Sequence, residues 1–213
     1  MKAEKIIAII LAMWGLVLCP SLAKATLITI EIEGVVDSVW DTGNYLEGKI
    51  EAGDTITGYY TYDLSTPDSN PLPEVADYRH RNPPCGISLS VGGFEFKTDP
   101  ASANFVVKIT NGATSGGLDD GYALISYNNL PLSNGTLVDS ISWSLRDSSA
   151  TALSSTELLT TAPILEDWQS GNLLRLYGQR AGYIVDAHLT SVIPEPGTIL
   201  LFGLGTLLLR KRT

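Results

Sequence analysis

Residues 26–192 predict an all-β fold, and the expected class is an antiparallel β-sandwich of jelly-roll or immunoglobulin-like type. Nine or ten short segments alternate apolar with polar residues, which is the period of two that half-buried strands require. Glycine, asparagine, aspartate and proline recur between these segments, as in sheets built from hairpins and short loops. No long stretch of this region shows the 3.6-residue periodicity of an amphipathic helix, so strands are expected to form the core.

The strand segments can be assigned in order along the chain. Residues 27–36 alternate isoleucine with threonine or glutamate, which places the isoleucines on one face. Residues 87–91 and 94–97 flank Gly92-Gly93, a two-residue sequence that predicts a tight hairpin. The other predicted strands, which share the same alternation, are residues 54–62, 105–110, 122–127, 139–145, 173–177 and 183–190.

Two segments interrupt this pattern. Residues 64–86 are rich in proline and have little periodicity, so we expect a long surface loop that contains His80. Residues 153–168 are compatible with one short helix or with a loop, because Pro163 limits the length of any helix.

The first 25 residues have the composition of a signal peptide. Lys2 and Lys5 supply positive charge, residues 6–18 are almost wholly apolar, and Ala23 and Ala25 are the small residues that signal peptidase accepts. We expect signal peptidase to cut directly after Ala25. Lipidation of Cys19 and a permanent signal anchor are the alternatives. Residues 16–18 lack the small residues that a lipobox needs before the cysteine, and so short an apolar run fits an anchor less well.

Residues 193–213 combine three unlike elements. In order, these are a proline-flanked acid, a short apolar run and a basic cluster: Pro194-Glu195-Pro196, residues 197–209, and Arg210, Lys211 and Arg212. As a helix the run would be about 20 Å long, whereas the hydrocarbon core of a bilayer is about 30 Å thick. The run therefore suits a short transmembrane helix that holds the chain temporarily, with the basic cluster as a cytoplasmic stop-transfer signal.

This order of elements resembles the PEP-CTERM sorting signal of exported bacterial proteins. The resemblance implies that exosortase, a membrane peptidase and transpeptidase, recognises Pro194, Glu195 and Pro196 after a transient association with the inner membrane. It also implies a Gram-negative host that makes exopolysaccharide, and an association of the protein with exopolysaccharide or biofilm. An ordinary tail anchor is the alternative.

The central region also resembles the exported domain that is common among such proteins, through four short sequences: Glu33-Gly34-Val35, Ala52-Gly53-Asp54, residues 58–63, and Val91-Gly92-Gly93-Phe94. This weaker resemblance implies a β-sandwich of no assigned activity, and it transfers no catalytic residue.

Charge excludes one class of partner. Residues 26–192 contain 8 basic and 21 acidic residues, a net charge of −13. Nucleic-acid binding requires clustered lysine and arginine to replace the counterions of phosphates, so no nucleic-acid partner is expected. Solubility outside the cell, or cations held near the surface, fits the acidic balance.

The sequence assigns no catalytic residue. His80 and His188 are the two histidines, and neither has cysteine or glutamate partners at a known metal-ligand spacing. No G-x-S-x-G sequence marks a serine nucleophile. Cys85 stands alone once Cys19 is removed with the signal peptide, so we expect a small buried residue, with a nucleophile or a dimer bridge as alternatives.

Two binding hypotheses rest on side-chain type. Asp119 and Asp120 lie between glycines in an acidic turn and are calcium candidates, since calcium prefers carboxylate and carbonyl oxygens; solvated turn residues are the alternative. Aromatic side chains would form a sugar platform if they were exposed together: Trp40, Tyr59, Tyr60, Tyr62, Tyr78 and Trp168.

The sequence thus predicts a signal peptide (residues 1–25), an exported β-sandwich domain (26–192) and a sorting tail (193–213). The expected function is that of a non-enzymatic protein of the cell envelope, outer surface or extracellular matrix. No cofactor is required, although calcium is a candidate. A carbohydrate-binding module and a secreted hydrolase are the alternative functions.

Overall fold

The computed structural model describes residues 27–112 and 119–194, and within them it is all-β. The ten strands are β1 Leu27–Asp41, β2 Thr55–Asp63, β3 Val75–His80, β4 Gly86–Val91, β5 Phe94–Lys97, β6 Phe105–Thr110, β7 Asp120–Ser126, β8 Val138–Asp147, β9 Gly171–Gly178 and β10 Tyr183–Pro194. Leu165–Asp167 form a 3-10 turn in the segment for which a helix or a loop was expected. The all-β prediction is confirmed, and every predicted strand is present.

The strands form one continuous sheet in the order β3-β6-β7-β8-β9-β10-β1-β2-β4-β5. Every neighbouring pair is antiparallel. The predicted sandwich of jelly-roll or immunoglobulin-like type is not confirmed, because hydrogen bonds connect all ten strands. The fold is better described as a curled antiparallel sheet that forms a half-barrel.

Contacts between distant strands show how strongly the sheet curls. Four spacings of about 4.8 Å would separate β2 from β8 by about 19 Å in a flat sheet. The ring centroids of Tyr60 on β2 and Trp143 on β8 nevertheless lie only 6.0 Å apart, and Tyr122 on β7 is 5.9 Å from Trp143. The concave face therefore closes on an aromatic core in which all three side chains are fully buried.

The long strand β1 bends at two irregularities of its register with β10, one at Glu33/Gly34 and one at Val36/Ser38. A β-bulge bends the strand that carries it and increases the local twist. Gly34 is required at the first irregularity, because a Cβ there would lie 2.5 Å from the carbonyl oxygen of His188. These bulges allow a 15-residue strand to follow the curled sheet.

The hairpin predicted between residues 87–91 and 94–97 is confirmed. β4 and β5 pair from Val91 opposite Phe94 to Ser88 opposite Lys97. Gly92 and Gly93 connect them with φ of 56° and 77°, the left-handed region that two-residue hairpin turns require.

The prediction that residues 64–86 form one long loop is wrong. β3 lies within this segment and pairs along its whole length with β6. Ala76, Tyr78 and His80 alternate into the core. His80 is therefore a buried strand residue and not a loop residue: Thr66 Oγ1 lies 3.0 Å from its Nδ1, and the rings of Tyr62 and Phe105 lie beside it.

The burial of His80 predicts that the stability of the domain depends on pH. Burial lowers the pKa of His80 to about 4, opposed by the nearby Asp63 carboxylate, whereas the unfolded chain has a histidine pKa of about 6.5. As the pH falls, the histidine of the unfolded chain takes up its proton before the buried His80 does. The contribution of the buried, neutral His80 to the free energy of unfolding is therefore complete above pH 6.5 and is lost as the pH falls to 4. The loss is about 1.4 kcal/mol per pH unit, up to about 3 kcal/mol.

Urea unfolding of the purified domain between pH 7 and pH 4 measures this dependence. His80→Phe should remove the extra loss below pH 6.5, because phenylalanine does not titrate and suits the two neighbouring rings. His188→Asn is the matched control, since His188 lies on the surface, hydrogen-bonded to Asp37. Equal pH dependence in the wild type and in His80→Phe would contradict the prediction.

Candidate functional site

The first candidate site is the junction between the domain and its C-terminal tail. β10 ends at Pro194, which pairs with Ile30 on the neighbouring strand β1. Proline has no N–H to donate to the next ladder position, so it suits the last residue of a strand. β1 begins at Leu27, only three residues before Ile30. Both ends of the described domain therefore leave the sheet side by side.

Pro194 is the one predicted sorting residue within the described ranges. The other residues predicted to guide export lie outside them, namely Ala23, Ala25, Glu195, Pro196, Arg210, Lys211 and Arg212. The predicted membrane helix of residues 197–209 also lies outside them. Among the residues that are described, no helix has the length and apolar character needed to cross a membrane.

The outer face of the sheet beside this junction carries two rows of side chains that cross β2, β1 and β10. The first row is Tyr59, Glu31 and Ile193, and the second is Thr57, Glu33 and Ser191. Side chains directly opposite each other on antiparallel strands have Cβ atoms about 5 Å apart, so each row is continuous. The rows line a shallow groove of about 260 Å³. We call this surface the junction face.

A second candidate site is a polar groove where β7 ends and β8 begins, with a volume of about 460 Å³. Tyr127 is 48% exposed there, beside the equally exposed Leu137. Asn128 donates to the carbonyl oxygen of Ser102, and an Asp139 oxygen accepts the backbone N–H of Arg180. These bonds hold amide and carboxylate groups around an exposed aromatic ring. We call it the Tyr127 groove.

The calcium candidates have protein partners in the structure. Asp120 is fully buried, and its two oxygens accept backbone N–H groups of Gly112 and Leu153 at 2.7 and 2.8 Å. Asp119 forms an ion pair with Arg146. Asp120 thus connects two loops at the start of β7. Calcium binding by Asp119 and Asp120 stays a hypothesis.

Sequence reasoning missed Asp147, the residue directly opposite Asp120 on β8. Its carboxylate accepts the backbone N–H groups of Thr151 and Ser149 and both of their hydroxyl groups. These donors, with the N–H of Thr151 foremost, hold the pKa of Asp147 well below its usual range. Its position at the end of a serine-rich strand was the available signal. No cluster of three histidine, cysteine or acidic residues that could hold a metal exists among the described residues.

The junction can be compared with known families. Residues 192–212 match the family model described as the PEP-CTERM protein-sorting motif. The chain carries a PEP-CTERM sorting motif. It indicates an exported protein that an exosortase sorts to the cell envelope. No curated protein and no solved structure matches the chain.

The PEP-CTERM motif begins inside the folded domain. The match starts at Val192, whereas β10 continues to Pro194. No linker therefore separates the sheet from the PEP-CTERM tail. The sequence alone placed the start of the tail at residue 193 but gave no sign that the last strand reaches into it.

The single cysteine of the exported region is a buried, unpaired thiol. Burial raises the pKa of Cys85 to about 11, so the thiolate that a nucleophile needs is scarce at neutral pH. This position agrees with the expected small buried residue. His188, in the last strand, is half-buried.

The aromatic residues proposed for a sugar platform do not come together. Four of the six are buried in the core, namely Tyr60, Tyr62, Tyr78 and Trp168. Trp40 and Tyr59 are exposed but far apart. Tyr59 lies opposite Glu31 on β1, and Glu31 is nine residues, or about 30 Å, from Trp40 along that strand. Tyr127, which was not among the candidates, lies in a groove instead.

Proposed function

We propose that this chain is a non-enzymatic exported protein of the cell surface or extracellular matrix, released by exosortase and associated with exopolysaccharide. The observation that carries the proposal is the PEP-CTERM motif at residues 192–212, continuous with the last strand of a folded domain. Before cleavage the tail anchors the chain transiently in the inner membrane, and after cleavage the curled sheet is the working form.

The state of the titratable groups supports a role without catalysis. His80 is buried with a lowered pKa, and the thiol of Cys85 is protonated at neutral pH. The buried carboxylates of Asp120 and Asp147 accept bonds from the loops that they hold in place. Each of these groups has a role in packing or loop connection.

The experiment that tests sorting follows the full chain in its exporting host by pulse–chase and intact mass. Pro194→Ala/Pro196→Ala should slow removal of the tail at least about tenfold and leave precursor in the inner membrane, because the recognition residues are lost. Pro71→Ala/Pro73→Ala is the matched control, since it removes two prolines of similar spacing from a loop far from the tail in sequence. Normal processing of the tail variant would contradict exosortase sorting.

A second candidate function, direct glycan binding, is favoured by the Tyr127 groove. An exposed aromatic ring can stack on a sugar, while neighbouring amides and carboxylates bind its hydroxyl groups. Asp99 and Asp139 both line the groove. Together with the net charge of −13 on residues 26–192, they favour a glycan that carries no negative charge.

Binding of soluble neutral, amino-sugar and anionic polysaccharides tests this function. Tyr127→Ala should weaken binding of uncharged or amino-sugar polymers about tenfold, because the stacking surface is removed. Tyr59→Ala is the matched control, since Tyr59 is 43% exposed and does not line the Tyr127 groove. Equal binding by both variants, or a preference for anionic polymer, would contradict a glycan site at this groove.

A further inference from the structure

We propose that exosortase docks on the junction face, the surface formed by Tyr59, Glu31 and Ile193 with Thr57, Glu33 and Ser191. The sorting enzyme would then read the folded domain together with the Pro-Glu-Pro sequence. This inference rests on the proposed sorting function and adds a second contact to it.

The tail is too short to let exosortase work far from the sheet. Only Glu195 and Pro196 lie between Pro194 and the apolar run that begins at Gly197. Three extended residues span at most about 11 Å, so the tail holds the end of β10 close to the membrane until it is cut. An enzyme that binds Pro194-Glu195-Pro196 must therefore approach β1, the strand paired with β10 at Pro194.

The junction face exposes two large apolar side chains. Ile193 is 53% exposed and Tyr59 is 43% exposed, on the two sides of Glu31. Exposed apolar residues are common singly, but two in one row beside a processing site form a contact surface. Large partly exposed residues of this kind are the usual anchors of protein interfaces.

The junction face also carries two carboxylates. Glu31 and Glu33 are exposed on the same face, and neither forms an ion pair within the described residues. A partner with basic or N–H groups between two apolar contacts would complement this pattern. A lipid surface fits less well, since it would desolvate both carboxylates without supplying fixed donors.

The test measures tail removal by pulse–chase in the full chain, with two variants outside the matched motif. Tyr59→Ala and Glu31→Lys should each slow removal about fivefold to tenfold, and Tyr59→Phe should process normally because it keeps the apolar contact. Tyr127→Ala and Trp40→Ala are matched controls, since both side chains are about half exposed but lie elsewhere. Limited proteolysis of each variant confirms that the domain is folded.

The outcomes separate docking from sorting. Normal processing of Tyr59→Ala/Glu31→Lys, while Pro194→Ala/Pro196→Ala is blocked, would overturn docking and leave sorting intact. Docking on the junction face would also be overturned if Ile164→Ser slowed processing while Tyr59→Ala and Glu31→Lys did not. Ile164 is exposed on the opposite flank of Pro194. If the Pro-Glu-Pro variant is processed normally, the sorting function itself fails.

Discussion

Replacing Trp143 with alanine is expected to lower the free energy of unfolding by about 3–5 kcal/mol, the range found when large aromatic residues are removed from cores. Trp143 is fully buried, and its ring contacts those of Tyr60 and Tyr122. Its indole N–H also donates to Asn172 Oδ1 at 3.0 Å, which in turn accepts the backbone N–H of Leu189 on β10. The variant therefore loses packing across the curled sheet and one partly buried hydrogen bond.

Urea unfolding of the mature domain measures this effect. Trp40→Ala is the matched control, because Trp40 is 50% exposed and its removal should change the stability by no more than about 0.5 kcal/mol. Similar losses in the two variants would mean that the distant strands β2 and β8 do not meet around Trp143, and the half-barrel would be wrong.

The second large effect is expected at Asp120. Asp120→Ala should lower the free energy of unfolding by about 2–5 kcal/mol, because two buried N–H groups, those of Gly112 and Leu153, lose their acceptor. Asp119→Ala should cost no more than about 1 kcal/mol, since its ion pair with Arg146 is largely exposed. Equal losses would contradict the assignment of Asp120 as the residue that connects the loops.

The same measurement decides the calcium hypothesis. With both oxygens of Asp120 already hydrogen-bonded, added calcium should change the free energy of unfolding by less than about 0.5 kcal/mol. An ion present at 100 times its dissociation constant would add about 2.7 kcal/mol. Such a gain in the wild type, lost in Asp119→Ala, would establish a calcium site instead.

Strand positions were predictable because burial on one face imposes a period of two. In β2 the alternation already separates Tyr60 from Tyr59, and the structure buries the first and exposes the second. β3 was missed because alanine and histidine carry two of its three buried positions and prolines surround it, so its apolar signal is weak. Local patterns of this kind report burial only where large apolar residues mark it.

The order of the strands could not be predicted from the sequence. β1 and β10 pair although Ile30 and Pro194 are more than 160 positions apart, and no local pattern encodes this register. Without this register, one curled sheet and two stacked sheets predict the same alternation of apolar and polar residues. The junction face was missed for the same reason, since it joins β10 to β1 and β2. The Tyr127 groove was missed because it joins the loop after β5 to the end of β7 and the start of β8, and no local pattern brings these three segments together.

The sorting signal was predictable because it is a linear sequence. An enzyme that binds an extended peptide reads neighbouring residues, so Pro194-Glu195-Pro196 and the apolar and basic segments after it are visible without a fold. The structure adds that the motif begins in the last strand of the sheet, directly beside β1.

The intact mass of the native protein, purified from the envelope or medium of its host, tests the sorting of this chain most directly. We expect a species that begins at Thr26 and lacks the apolar run of residues 197–209 and the basic cluster after it. A native protein that keeps Arg210, Lys211 and Arg212 and stays in the cytoplasmic membrane would contradict release by exosortase.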